Sequence, residues 1–296
     1  MIQTAVQETG KLWHRNARLS TMAVIMVGVL LFCIAYWPTF VWLWERATAA
    51  DSYYSHALLV PFLSAYLVWR RKESVRKLQW QPSAMGFVLI LSALAVHVLS
   101  MLLDVYFTSG FSILVLIFGL SLYLFGYRIT RELLFPLGFL VFMFPLPGAA
   151  LDAVGVPMKL FVTTSGARIV ELLGIPVIQE GFQLHFPSAS LVIGNPCSGL
   201  RSLISLLALG SLYAYFLAAP LRVVAPILLA SIPIALFSNI VRVVMLSLIT
   251  YRYGSDAASG SLHDVSGIAV FVLALVLLLA TGKLFEWRLS RHGWRS

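Results

Sequence analysis

The sequence predicts an all-α polytopic membrane protein, a bundle of about eight transmembrane helices forming one domain over residues 1–296. Of the 296 residues, 60% are hydrophobic and only 11% are charged, and the mean hydropathy is +0.90. A soluble domain carries about a quarter of charged residues. This chain therefore has too little polar surface for water, and lipid must surround it. In lipid every backbone polar group has to be satisfied internally, which favours helices.

Eight apolar segments approach the roughly 20 residues that a helix needs to cross a bilayer. Their approximate bounds are 21–43, 52–69, 85–103, 107–126, 132–150, 202–219, 223–249 and 266–285. The second segment is the least apolar, because Asp51, His56 and Pro61 make one end polar. The first segment lacks a small-residue cleavage site, so we interpret it as a span rather than a removable signal peptide.

The distribution of basic residues predicts the orientation. The net charge is +9, and the basic residues form short clusters between apolar segments, which is typical of orientation signals rather than of nucleic-acid binding. With both termini in the cytoplasm, the predicted inside segments hold 15 of the 21 lysines and arginines. An odd number of spans would break this alternation. We therefore expect a multi-pass protein of the cell inner membrane with both termini cytoplasmic.

This orientation puts the longest connection, about residues 151–201, on the periplasmic side. Its first part, Asp152–Leu173, is predicted to be an amphipathic helix that lies on the membrane. The apolar members of that helix include Val156, Leu160, Phe161 and Val170. Apolar and polar residues then alternate between Phe182 and Ile193, with a turn-like Pro187–Ser190 segment between them. This pattern predicts a small β-hairpin.

Cys197 is a candidate nucleophile. The chain has two cysteines, and the other, Cys33, falls in the middle of the first span, where a buried packing thiol is expected. Pro196 and Ser198 are residue types common where a helix begins, so Cys197 is predicted to lie at or beside the N-terminus of the sixth span. The helix dipole favours an anion there, and thiols in such positions have lowered pKa values.

Two neighbours of Cys197 strengthen this prediction. Arg201 lies four residues further on, on the same helical face, and adds positive potential. Gly199 removes side-chain bulk beside the sulfur, which would let an extended backbone approach. The alternative from these residues alone is a structural cysteine at a helix start with a packing glycine.

Arg242 lies within an otherwise apolar span. An arginine inside the bilayer costs about 2.5–3.5 kcal/mol on insertion scales, so it is usually retained for a function and faces the bundle interior. Asn239 is three residues earlier and shares its face. The alternative is that Arg242 extends to the outer interface, but the deeper Asn239 is not explained in that way.

Several histidines belong to the predicted outer half: His263, just before the last span, together with His56, His185 and His97. Sequence physics does not choose among them as proton carriers. They could also bind a metal, but no HExxH motif or paired Cys/His spacing supports a metal site. No cofactor is predicted.

A thiolate nucleophile, a fixed cation and a proton carrier are the groups that acyl transfer at an amide bond requires. Cys197 and Arg242 supply the first two, and one of the outer histidines would supply the third. The charge-derived orientation puts all three on one side of the membrane.

These residues resemble the exosortase and archaeosortase family of multi-spanning cysteine transpeptidases. The resemblance rests on Cys197-Ser198-Gly199 before a late span, Asn239 and Arg242 in the next span, and His263 before the last. It is strong from about residue 195 to 285 and looser in the N-terminal half, where Tyr54-Ser55-His56 precedes a basic loop. It implies that Cys197, Arg242 and His263 are catalytic, and it selects His263 among the histidines.

The resemblance also implies a substrate class. Such enzymes cleave exported proteins at a C-terminal signal, which consists of a short motif (Pro-Glu-Pro in bacteria), an apolar span and a basic end. They pass the new C-terminus to an acceptor, whose identity the sequence does not give. The acid-poor composition argues against a halophilic archaeal source and favours a bacterial exosortase. Asn239, Ser198, Gly199, Arg201 and His56 are then candidate supporting or substrate-binding residues.

Other functions stay open at this point. A membrane acyltransferase would carry a lipid acyl chain as a thioester on Cys197. An anion transporter would bind its ion through Arg242 and the outer histidines, although the inverted repeats typical of transporters are not evident. A purely structural protein would not explain an embedded arginine.

The predicted topology is testable with reporter fusions. Fusions near Gly181 and Gly260 should report a periplasmic location, and fusions near Lys77 and at the C-terminus a cytoplasmic one, because basic loops stay inside. A periplasmic C-terminus would contradict the predicted location of the whole site.

Overall fold

The computed structural model describes residues 22–49, 52–194, 198–218, 220–259 and 261–290, excluding the side chains of 258–259, 261–264 and 288–290. The helices are α1 (Met22–Ala35), α2 (Trp37–Thr48), α3 (Val60–Arg70), α4 (Lys72–Arg76), α5 (Ala84–Leu102), α6 (Tyr106–Phe125), α7 (Tyr127–Glu132), α8 (Leu134–Gly138), α9 (Gly148–Leu172), α10 (Leu200–Phe216), α11 (Leu221–Tyr253), α12 (Ser255–Ser259) and α13 (Ser261–Ser290). Short 3₁₀ helices, Ala57–Leu59 and Phe139–Met143, precede α3 and follow α8.

Four of the described helices are long and apolar enough to cross a membrane: α5, α6, α11 and the Val265–Trp287 part of α13. Two bent pairs also qualify, α1 with α2 at 62° and Leu134–Met143 with α9 at 77°. The described residues therefore contain four to six candidate spans. These spans are consistent with an all-α membrane protein, whereas the predicted count of eight spans is not confirmed.

Prolines and short helices account for the difference in count. Pro38 lies in the first turn of α2, and Pro145 and Pro147 lie in the break before α9. Proline removes a backbone donor and clashes with the preceding turn, so helices bend or end at these points. The predicted sixth span is the 17-residue α10, which is about 26 Å long and shorter than a typical 30 Å hydrocarbon core.

The helix predicted over Asp152–Leu173 begins earlier, at Gly148, and forms one arm of a bent candidate span. It packs along α11 through small residues, and a Cβ on Gly166 would lie 2.5 Å from Cγ1 of Val243. Val170 is fully buried, whereas Val156, Leu160 and Phe161 are 45–53% exposed. The apolar residues are thus divided between a protein-facing and an outward-facing side. The connection predicted as external at about 151–201 is therefore largely helical.

The C-terminal part of this connection forms a three-stranded antiparallel sheet. Its strands are β1 (Ile178–Glu180), β2 (Gln183–His185) and β3 (Ser190–Val192), in the order β1-β2-β3. The predicted hairpin corresponds to β2 and β3, and β1 is an additional strand. Leu184 and Leu191 pair across β2 and β3 and are buried against α9 and α11.

The helix α11 is the centre of the C-terminal half. It has 33 residues, which correspond to about 50 Å. Val243 and Leu246 pack with α9 and the sheet, while Val223, Ile227 and Ala235 pack with α10 and α13. Because these elements cover the middle of α11, its polar side chains Ser238, Asn239 and Arg242 are held inside the protein.

Candidate active site

Cys197 lies outside the described residues, together with Asn195 and Pro196. The chain resumes at Ser198, which is buried, and Ser198 Oγ accepts a hydrogen bond from the backbone N–H of Leu200 at 3.2 Å. This bond satisfies one of the free donors at the start of α10. The helix therefore begins three residues after Cys197, and the predicted position of Cys197 beside a helix N-terminus stays a prediction.

Gly199 forms the turn into α10 with a left-handed backbone, φ +86° and ψ −16°. A Cβ at this position would lie 3.3 Å from Nδ2 of Asn239 and 3.4 Å from Cε of Met158. Glycine is favoured here for two reasons. It adopts the left-handed backbone conformation without strain, and side chains of α11 and α9 leave little space for a Cβ. This contact connects the turn after Cys197 to the middle of α11.

Asn239 is 1% exposed. Its Nδ2 donates to the backbone oxygen of Ala235 at 2.8 Å and to Oγ of Ser202 at 3.4 Å. Its Oδ1 is buried and has no hydrogen-bond partner. The side chain therefore joins α11 to the first turn of α10 and retains an unused acceptor.

Arg242, one turn after Asn239 on α11, is 6% exposed. Its Nε donates to Oγ of Ser266 at 3.4 Å, and a Cβ on Gly267 would lie 3.2 Å from its Nη2. The guanidinium thus packs against α13, inside the protein. This burial agrees with an interior-facing arginine and leaves no role for extension to an interface.

His263 belongs to the first turn of α13, and its side chain lies outside the description. Position 263 is three and four residues before Ser266 and Gly267, and such positions share one face of a helix. Two close approaches therefore link the elements that carry the three predicted catalytic residues. A Cβ on Gly199 would meet Asn239 of α11. Arg242 of α11 packs on the face of α13 that includes position 263.

His56 contacts the second turn of α10. Its Nδ1 is 3.3 Å from Oγ of Ser205, and Arg201 is near enough to act electrostatically on the ring. Its Nε2 is buried and has no partner in hydrogen-bond geometry, although the backbone carbonyl of Phe142 is close. His56 and Arg201 thus lie together at α10.

The other two histidines have separate partners. His97 Nδ1 is 2.8 Å from Oγ of Ser109, and His97 Nε2 is 3.1 Å from the backbone oxygen of Ala35, in the N-terminal half. His185 Nε2 is 3.5 Å from a carboxylate oxygen of Glu180 in the small sheet. Among the described side chains no group of three His, Cys, Asp or Glu residues could hold a metal ion.

Sequence reasoning missed the contacts that hold the site together. Ser202 and Ser266 are ordinary helix residues in sequence, and only their spacing of three from Gly199 and His263 could have indicated a role. It also missed a cavity of about 680 Å³ formed by the α2 end, the α5–α6 turn and the start of α9. Trp42 and Asp152 are among its lining residues.

The fold combines several apolar helices long enough to cross a membrane with a buried polar cluster in the C-terminal half. The family model of transmembrane exosortases (Exosortase_EpsH) matches residues 44–280. The chain therefore belongs to the transmembrane exosortase family, whose members are transpeptidase-type enzymes that act on exported proteins with C-terminal sorting signals. No curated protein and no solved structure matches the chain.

The contact between Gly199 and Asn239 generates a prediction. Gly199→Ala should lower substrate processing on the order of tenfold or more, because small displacements of a site can cost about 10²-fold in rate. Gly254→Ala is the matched control, since Gly254 has the same φ of +86° with no atom within 4 Å of a Cβ.

Both variants should lose roughly 1–2 kcal/mol from the left-handed backbone, but Gly254→Ala should keep processing. The measurements are thermal unfolding in detergent and the processing rate of an exported substrate. An equal rate defect in both variants would show that the Asn239 contact is irrelevant to activity.

Proposed function

We propose that the protein is a membrane-embedded cysteine transpeptidase. It cleaves a C-terminal, PEP-CTERM-like sorting signal on exported proteins at the periplasmic face of the inner membrane. It then transfers the new C-terminus to an acceptor. The observation that carries this proposal is that Arg242 is buried and packs on the face of α13 that includes position 263. The membership of the chain in the exosortase family supports the same reaction.

In the first half of the reaction, the Cys197 thiolate attacks the carbonyl carbon of the scissile peptide bond. A bond forms between Sγ and that carbon, and negative charge develops on the oxygen. The Arg242 guanidinium stabilises this charge, which is effective because the group is fixed in advance and shielded from water. The carbon–nitrogen bond then breaks, and His263 gives a proton to the leaving amine. The product is a thioester on Cys197.

In the second half, the nucleophile of the acceptor attacks the thioester carbon. His263 takes the proton from that nucleophile, and the thiolate of Cys197 leaves. The protonated histidine and the free thiolate of the starting state are thus restored. Arg242 stabilises the second oxyanion in the same way as the first.

The substrate arrives with its signal already inserted in the bilayer. Its apolar span packs in lipid beside the helices, its basic end stays on the cytoplasmic side, and its motif lies at the outer ends of the spans. This arrangement follows the orientation that the lysines and arginines predict, with the motif on the same side as the start of α10.

Replacement of Cys197 tests the nucleophile. Cys197→Ala should abolish processing without loss of expression or membrane insertion, and Cys197→Ser should be nearly inactive, since a hydroxyl is far less ionised than a thiol near neutral pH. The measurement is processing of a tagged exported substrate, with mass spectrometry of the wild-type protein for a peptide adduct on Cys197.

Cys33→Ala is the control. Cys33 is exposed on α1, so the prediction of a buried packing thiol is wrong, and this substitution should leave processing normal. Full processing by Cys197→Ala would refute the proposal. An acyl chain in place of a peptide on Cys197 would indicate a lipid acyltransferase instead.

Arg242→Lys tests the role of the guanidinium. Lysine keeps the charge but loses the planar set of donors, so the rate should fall on the order of 10²–10³-fold, as when one oxyanion donor is removed. Arg242→Ala should lower the processing rate further, and uncleaved substrate should copurify with both variants. Near-normal processing by Arg242→Lys would exclude the oxyanion role.

The matched control is Arg252→Lys on the same helix. Arg252 lies in the last turn of α11 and is exposed, so this change should leave the rate unaltered. A similar defect in both lysine variants would point to a general loss of α11 packing.

A further inference from the structure

The side-chain oxygen of Asn239 is a buried acceptor without a donor. The residue is 1% exposed, and Oδ1 has no hydrogen-bond partner. Buried polar atoms in native proteins are nearly always paired, so each exception requires an explanation. The cost of leaving it unpaired is removed whenever a ligand supplies a donor.

The orientation of the amide is fixed by its surroundings. The group that faces the backbone oxygen of Ala235 at 2.8 Å must be the NH₂, because a carbonyl oxygen can only accept. Rotating the amide by 180° would put two acceptors together. The unpaired atom is therefore the oxygen, and it requires a donor.

The amide lies close to the turn into α10 and to Arg242. A Cβ on Gly199 would be 3.3 Å from Nδ2 and 3.6 Å from Cγ of Asn239, and in the sequence Gly199 is two residues after Cys197. Arg242 follows Asn239 one turn later on the same face of α11.

A peptide substrate brings the missing donor. A segment that enters an apolar bundle loses water from its backbone N–H groups, and each must then find an acceptor in the protein. The nearby hydroxyl of Ser202 already accepts from Nδ2. Oδ1 of Asn239 is thus an unpaired acceptor, and a hydrogen bond from a substrate N–H would satisfy both groups.

We propose that Asn239 Oδ1 binds a backbone N–H of the extended substrate segment next to the scissile bond. Asn239 is then a substrate-binding residue that sets the register of the peptide relative to Arg242. This assignment rests on the proposed peptide substrate.

The test replaces one backbone N–H of the substrate at a time. A series of synthetic sorting-signal peptides carries a single ester in place of each successive amide around the cleavage site, and kcat/KM is measured with the full-length protein in nanodiscs. In the wild type one ester position should lower kcat/KM about 3- to 10-fold, as expected for loss of one hydrogen bond. The loss should be mainly in KM, because the bond exists before and during the reaction.

Variants assign that loss to Asn239. In Asn239→Leu the same ester should cost less than about 2-fold, because the acceptor is already absent, while other ester positions should cost what they cost in the wild type. Asn239→Asp keeps an acceptor oxygen, so the penalty should persist there, which provides a test if the leucine variant does not fold. Arg252→Lys, in the exposed last turn of the same helix, is the control and should retain the wild-type pattern.

Equal ester penalties in wild type and Asn239→Leu, or no sensitive position in the wild type, would overturn the assignment. That result would mean that Oδ1 accepts from water and not from a substrate N–H. It is distinguishable from failure of the proposed function, because a peptide thioester on Cys197 would still form. Processing by Cys197→Ala would instead refute the cysteine mechanism, whereas an ester penalty that depends on Asn239 would still support the contact with the peptide.

Discussion

The burial of an amide and a guanidinium on one apolar helix is the constraint on which the C-terminal half depends. Asn239 and Arg242 are 1% and 6% exposed, and lipid would offer them no hydrogen-bond partners. Helices α10 and α13 therefore have to cover α11 at this level. Ser202 accepts from the amide and Ser266 from the guanidinium. The arrangement of the three helices follows from these two polar groups.

Small residues make this enclosure possible. Gly199 and Gly267 lie where the backbones of α10 and α13 come nearest to the polar side chains of α11, and a Cβ at either position would be 3.2–3.3 Å from a nitrogen. Close approach of this kind is typical of helix packing in membranes, where association depends on van der Waals contact and hydrogen bonds.

The sequence was informative where local physics decides the outcome. The interior position of Arg242 and its shared face with Asn239 follow from insertion cost and helix period, and both agree with the structure. The number of spans was not predictable in the same way, because prolines bend two segments and tertiary packing supports short helices. Ser202 and Ser266 acquire their roles only through contacts between helices. The position of Cys197 stays a prediction.

The length of α11 bears on the fate of the thioester intermediate in the proposed reaction. From Arg242 to Tyr253, the last residue of α11, there is about 16 Å of helix. In the proposed orientation this is the distance from the reacting carbonyl to the periplasmic end of the helix. If the proposed thioester forms at that depth, it would have little access to bulk water, and release as a free acid would compete poorly. The acceptor nucleophile that resolves it would have to reach inward through protein. How far the nucleophile of an acceptor can extend into the protein, as well as its chemical reactivity, would then decide which molecules can serve as acceptors.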